Sequence, residues 1–239
     1  MAERAAERLA MHVAMAQALA SEETAVAISA AARDLAARFD AGGTLLIFGN
    51  GGSAADAQHL AAEFTGRYML DRAPLPALAL ADNTAAATAI ANDYGFDRVF
   101  ARQVHAFGNG DGAAIALSTS GTSENVLEGL RAARELGLLT IGVTGDGGAE
   151  RMRPLCDHLL TIPAVPTPQI QEGTMLVLHT ICELVEHSLF EEGGATVTVP
   201  STRRRPRATT SRRRSGFGSS TALKRRCGCW PATAGWWWW

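Results

Sequence analysis

A chain of 239 residues, 47% of them hydrophobic, with a mean hydropathy of +0.02, has room for one ordinary domain with appendages and too little length for two large ones. The net charge of -2 conceals an asymmetry: ten of the 22 Lys and Arg residues lie after position 200, in a segment without Asp or Glu, which leaves 12 basic against 24 acidic residues before it, a net of -12. Such an acidic body repels nucleic acid and leaves only the tail to attract it, and no run of about 18 uncharged apolar residues exists for a membrane span. The first 40 residues contain neither Gly nor Pro and repeat Ala, Leu, Val and Met at helical spacing. They predict a helical hairpin over 1–40, one helix to about Ala20 and a second from about Ser21 to Phe39, with Ser21 suited to a helix start. The opening stretch carries Glu3 and Glu7 and lacks the basic head and cleavage site of an export signal, so a cytoplasmic location is expected.

From Thr44 the pattern changes to short apolar runs separated by Gly-rich turns and Ala-rich helical stretches. Five buried strands are expected at Thr44 to Gly49, Ala77 to Ala81, Ala113 to Ser118, Leu139 to Thr144 and His158 to Ile162. Helical patterns lie between them near 53–65, 84–106, 123–136 and 148–153, and a last helix runs from about 168 to 191. Continuous apolar strands alternating with helices imply a doubly wound α/β domain over 41–197, a five-stranded parallel sheet with ligands at the carboxyl ends of its strands. Beyond about Thr198 hydrophobic periodicity ends, and the Arg-, Ser- and Thr-rich segment 198–239, ending in four Trp, is expected to be a disordered basic tail. Cys156 and Cys182 sit in apolar patterns and read as buried thiols. Cys227 and Cys229 are spaced too closely for the usual zinc pair and read as incidental.

Three constellations carry chemistry. Asn50, Gly51, Gly52 and Ser53 stand between a strand and a helix, where glycines admit a ligand to the backbone and the helix start offers free N–H groups. This is neither a dinucleotide fingerprint nor a P-loop, and a structural tight turn accounts for it equally well. Ser118, Thr119, Ser120, Thr122 and Ser123 surround Gly121 at a second such junction, a neutral cradle for phosphate; helix capping needs only one of those five hydroxyls. His59 and Glu63, four apart on the helix after the first loop, share one face, and Gln171 and His179 lie about two turns apart on the last helix. Together they could hold a divalent metal or act as acid and base; singly, His179 also reads as a core histidine and Glu63 as an ordinary helix acid.

The blocks FGNGGSAADAQHLAAEFTGRY, ANDYGFDRVFARQV, LSTSGTSENVLEGLRAARELG and TPQIQEGTMLVLHTICELVE, in that order, resemble the phosphoheptose isomerases of the sugar isomerase (SIS) domain superfamily, over the chain to about Phe190. The resemblance implies a flavodoxin-like sheet with an added amino-terminal hairpin, a homotetramer with active sites at subunit interfaces, and conversion of the small-molecule sugar phosphate sedoheptulose 7-phosphate to D-glycero-D-manno-heptose 7-phosphate for cell-surface glycans. It implies one zinc per subunit on His59, Glu63, Gln171 and His179. Substrate contacts are implied for Asn50, Gly51, Gly52, Ser53, Glu63, Asn92, Asp93, Ser118, Thr119, Ser120, Ser123 and Gln171, with Glu63 and His179 as the acid-base pair. Gln169 departs from the Arg common in relatives, which removes a cation expected near the phosphate. The alternative is a related non-catalytic tetramer that binds the bacterial replication initiator and lacks the glutamate and second histidine. A third reading, an SIS regulatory or amino-sugar phosphate module, shares the serine cradle and has no need of the His59/Glu63 pair.

Overall fold

Two helices without Gly or Pro open the chain in the computed structural model, which describes residues 1–164 and 166–192. Helix α1 covers Ala2–Leu19 and α2 Glu22–Asp40; the Ser21 hydroxyl caps α2 by accepting the Thr24 N–H at 3.2 Å. The sheet follows as β1 (Leu45–Gly49), β2 (Ala77–Ala79), β3 (Ala113–Ser118), β4 (Leu139–Gly145) and β5 (His158–Ile162). The intervening helices are α3 (Gly52–Thr65), α4 (Thr84–Tyr94), α5 (Val99–Phe107), α6 (Glu124–Glu135) and α7 (Ala149–Met152), and α8 (Thr167–Glu186) closes the described chain, running on into a wider π-helical turn at His187–Glu192.

All four strand pairings are parallel, in the order β2-β1-β3-β4-β5. Alternate residues of β1 serve opposite faces. Leu45 and Ile47 enter a core with Leu35, Phe39, Leu60, Phe64, Leu178 and Ile181 of α2, α3 and α8, whereas Leu46 and Phe48 enter one with Phe100, Val104, Leu127 and Leu130 of α5 and α6. Each large side chain so buried contributes about 1.5–3 kcal/mol relative to exposure. Strand order reverses between β1 and β3, so the carboxyl ends at Gly49 and Ser118 flank the crevice where ligands of such sheets bind.

All five expected strands are present. The second is shorter than its sequence suggested, ending at Ala79, because the chain turns there through an Asp82 N–H to Ala79 carbonyl bond. The single helix expected over 84–106 is two, broken at Gly95, whose φ of 96° has no place in a right-handed helix. The last helix leaves α geometry at Glu186 rather than 191. The tail expected over 198–239, with Cys227 and Cys229, lies outside the described residues.

Candidate active site

Helix α3 leaves β1 through Gly51 and Gly52 and carries His59 and Glu63 one turn apart on one face. The His59 Nε2 lies 3.2 Å from Glu63 Oε1 and 3.0 Å from the Nε2 of His179, which comes from α8, 120 residues further along. One donor atom from each of the three residues falls within 4.8 Å of the others. Two facing imidazole nitrogens at this separation share one proton, one ring donating and the other accepting. A divalent cation can take that proton's place: ligand atoms on a tetrahedral zinc with bonds of about 2.0–2.1 Å stand about 3.3 Å apart, close to the two separations at His59, and two imidazoles with a carboxylate are a donor set that could hold such an ion. The Tyr68 ring packs on His179 at 5.4 Å between centroids. Gln171 faces the first loop, where a Cβ added to Gly52 would meet its Nε2 at 2.2 Å and push that amide aside.

Around the first loop, Asn50 and Asn125 of α6 exchange a pair of amide hydrogen bonds at 2.8 and 2.9 Å, joining the two loops that flank the crevice. Ser53 is buried beneath its loop. In the second loop the Gly121 N–H donates to Ser118 Oγ at 3.1 Å, the Ser118 hydroxyl donates to Ser123 Oγ at 3.4 Å, and the Thr122 N–H donates to Ser120 Oγ at 3.3 Å. Ser123 occupies the N-cap position of α6 yet makes no side-chain cap bond, so the capping explanation for this cluster fails at the residue best placed to use it. Gly121, at φ 64° and with Gly148 oxygen 2.1 Å from where a Cβ would stand, permits this tight loop. Thr119 and Ser120 open onto a cleft of about 390 Å³ shared with Gly145, Asp146, Gly147 and Gly148.

The structure thus gathers His59, Glu63 and His179 directly, sets Gln171 against Gly52, and places both loops at the crevice. It does not bring Asn92 and Asp93 to this cluster. They lie exposed on the last turn of α4, a helix with no buried residue, and their side chains hydrogen-bond to each other at 2.8 Å. Gln169 is no substitute for a phosphate-facing cation: it is buried and its Nε2 donates to the Met11 carbonyl at 2.6 Å, tying α8 to α1. Cys182 is buried as expected, but Cys156 is only half-buried; what burial it has pushes the Cys156 thiol up to about 12. Burial, with Glu63 and Glu186 nearby, raises the Cys182 thiol further, so neither is a nucleophile at neutral pH.

Several site-lining groups escaped sequence reasoning. Asp56 stands one turn before His59, at the i, i+3 spacing that could have flagged it. Its Oδ2 is buried without a hydrogen-bond partner among the described residues, and burial raises its carboxyl against the opposing effect of His59. Tyr68, Arg72, Asn125 and Glu186 carry no local signal, because the contacts that bring them together span from 75 to 118 residues of sequence.

Comparison with known proteins identifies the family and the fold. Residues 10–145 match the SIS domain family. The chain is 50% identical over 194 residues to a phosphoheptose isomerase of Solidesulfovibrio magneticus, covering 80% of this chain and 94% of that protein, and 52% identical over 167 residues to one of Rhodospirillum rubrum, covering 70% and 88%. A phosphoheptose isomerase structure from Neisseria gonorrhoeae superposes with a TM-score of 0.71 at 40% identity, over 77% of this chain and 97% of that one.

Proposed function

Because the chain belongs to the phosphoheptose isomerases of the SIS domain family, we propose that it converts sedoheptulose 7-phosphate to D-glycero-D-manno-heptose 7-phosphate for heptose biosynthesis. The observation that carries this reading is the convergence of His59, Glu63 and His179 from two helices.

Moving a carbonyl from C2 to C1 requires loss of a proton from C1, an enediol, and return of a proton to C2. Glu63 and His179 serve as the acid-base pair, one exchanging the carbon-bound proton while the other supplies and removes protons at the sugar oxygens; positioned groups of this kind contribute about 100- to 10,000-fold each. Ser118, Thr119, Ser120 and Ser123, with the free N–H groups at the start of α6, hold the phosphate; Asn50, Gly51, Gly52, Ser53, Asn92, Asp93 and Gln171 orient the sugar. His59, Glu63, Gln171 and His179 would hold one zinc per subunit, which would polarise the carbonyl when bound.

The functional unit in this proposal is a cytoplasmic homotetramer with active sites at subunit interfaces, each chain organised as a hairpin (1–40), an isomerase domain (41–197) and a tail (198–239). Leu9, Val13, Val26 and Leu176, exposed on α1, α2 and α8, support the assembly, and the exposure of Asn92 and Asp93 is compatible with their reaching a neighbouring subunit's site. Among the described residues no helix is long and apolar enough to cross a membrane. The initiator-binding alternative gives the three converging groups no task. Incubation of purified protein with sedoheptulose 7-phosphate, with and without added zinc, is expected to yield the aldose phosphate by NMR; no aldose under either condition overturns the proposal.

A further inference from the structure

Glu186 stands seven residues after His179 on α8 and is 2% exposed. Its Oε1 accepts the Tyr68 N–H at 3.0 Å and Arg72 Nε at 2.7 Å, and its Oε2 accepts the Met69 and Leu70 N–H groups at 2.9 and 3.0 Å. The Arg72 side chain, 1% exposed, spends three of its remaining four N–H bonds on main-chain carbonyls: Glu63 and Phe64, both at 2.9 Å, and Ala73 at 3.0 Å. A buried ion pair returns little net stability, because desolvation offsets its attraction. Its geometry is more informative, since apolar packing sets how close two helices lie while a planar guanidinium fork sets their register.

The chain of contacts runs from the main-chain oxygen of Glu63 through Arg72 to Glu186 and along α8 to His179. A second branch runs from Glu186 to the backbone of Tyr68, whose ring packs on His179. We propose that Arg72 and Glu186 are positioning residues that hold α3 in register with α8, and thereby set the separation of Glu63 and His179. This deepens the isomerase reading and rests on the roles given there to those two groups.

The test uses the full chain with two variants, Arg72→Lys, which keeps the charge and loses the fork, and Arg72→Met/Glu186→Gln, which leaves no unpaired buried ion. Both are expected to keep the wild-type circular dichroism, to lose about 10-fold or more in kcat with KM within about twofold, and to bind zinc about 10-fold more weakly in chelator competition. In a Glu63→Gln background Arg72→Lys is expected to cause no further loss of kcat, whereas general loosening of the fold adds its cost there too. A folded variant with unchanged kcat and zinc affinity, or an equal loss in the Glu63→Gln background, overturns the proposal. Should the wild type not turn over sedoheptulose 7-phosphate, the isomerase reading fails separately and the zinc arm decides: weakened binding in the variants supports the strut, and unchanged binding refutes it. A wild type with neither turnover nor zinc binding refutes it as well, since the strut then has nothing to position.

Discussion

Glu63 illustrates how much a single position carries. Its carboxylate meets His59 at 3.2 Å, while its carbonyl is held by Arg72 at 2.9 Å, so side chain and backbone are tied to different parts of the site. Replacing Glu63 or His179 by Gln keeps shape and removes the titrating group; each variant is expected to lose at least about 100-fold in kcat with an unaltered circular dichroism spectrum, and near-normal turnover in either refutes its role. The two free thiols, Cys182 buried and Cys156 half-buried, make a separate residue-scale prediction. With Cys156 pushed up to about 12 and Cys182 raised further, both thiols stay protonated at pH 8. A Cys227→Ser/Cys229→Ser variant should therefore resist iodoacetamide until denatured, and rapid labelling of the native protein would contradict the burial. At this scale His59 and Glu63 were legible in the sequence because one helix carries both; His179 was a candidate that read equally as a core histidine, and the resemblance singled it out, since nothing local states that α8 crosses α3.

Elements followed from pattern wherever the pattern was long. Five apolar runs became five strands, and the Gly- and Pro-free opening became two helices. The misreading over 84–106 came from one glycine, because the Ala-rich stretch before Gly95 and the apolar stretch after it share helical spacing while the chain turns between them. Two predictions belong here. At Gly121 an Ala must adopt a positive φ and meets the Gly148 carbonyl, so Gly121→Ala is expected to cost about 2 kcal/mol or more in urea unfolding and to weaken protection by inorganic phosphate; an unchanged midpoint refutes the tight approach. For Glu186, burial alone raises the carboxyl, but hydrogen bonds from Leu70, Met69, Tyr68 and Arg72 outweigh it and hold it below its ordinary 4.5. A lowered carboxyl stabilises the fold fully above about 4.5 and loses that contribution as pH falls through its folded value. The difference in urea stability between wild type and Glu186→Gln, about 3 kcal/mol, should stay level from pH 7 to 5 and shrink below about 4.5; a difference independent of pH would refute it.

For the whole molecule, the exposed apolar side chains of α1, α2 and α8 predict self-association, which the proposed function makes a tetramer by light scattering, and deletion of residues 200–239 is expected to leave assembly and activity unchanged. Loss of the tetramer on deletion would make the tail part of the assembly. The amino-acid sequence by itself determined the α/β class, the parallel strands and the two polar loops, because period, punctuation and helix-start chemistry are local properties. Only the tertiary structure decided that His179 meets His59, that Gln171 lies over Gly52, and that Arg72 and Glu186 join α3 to α8. Those relations depend on how two helices pack across about 120 residues of chain, a separation over which side-chain spacing carries no phase.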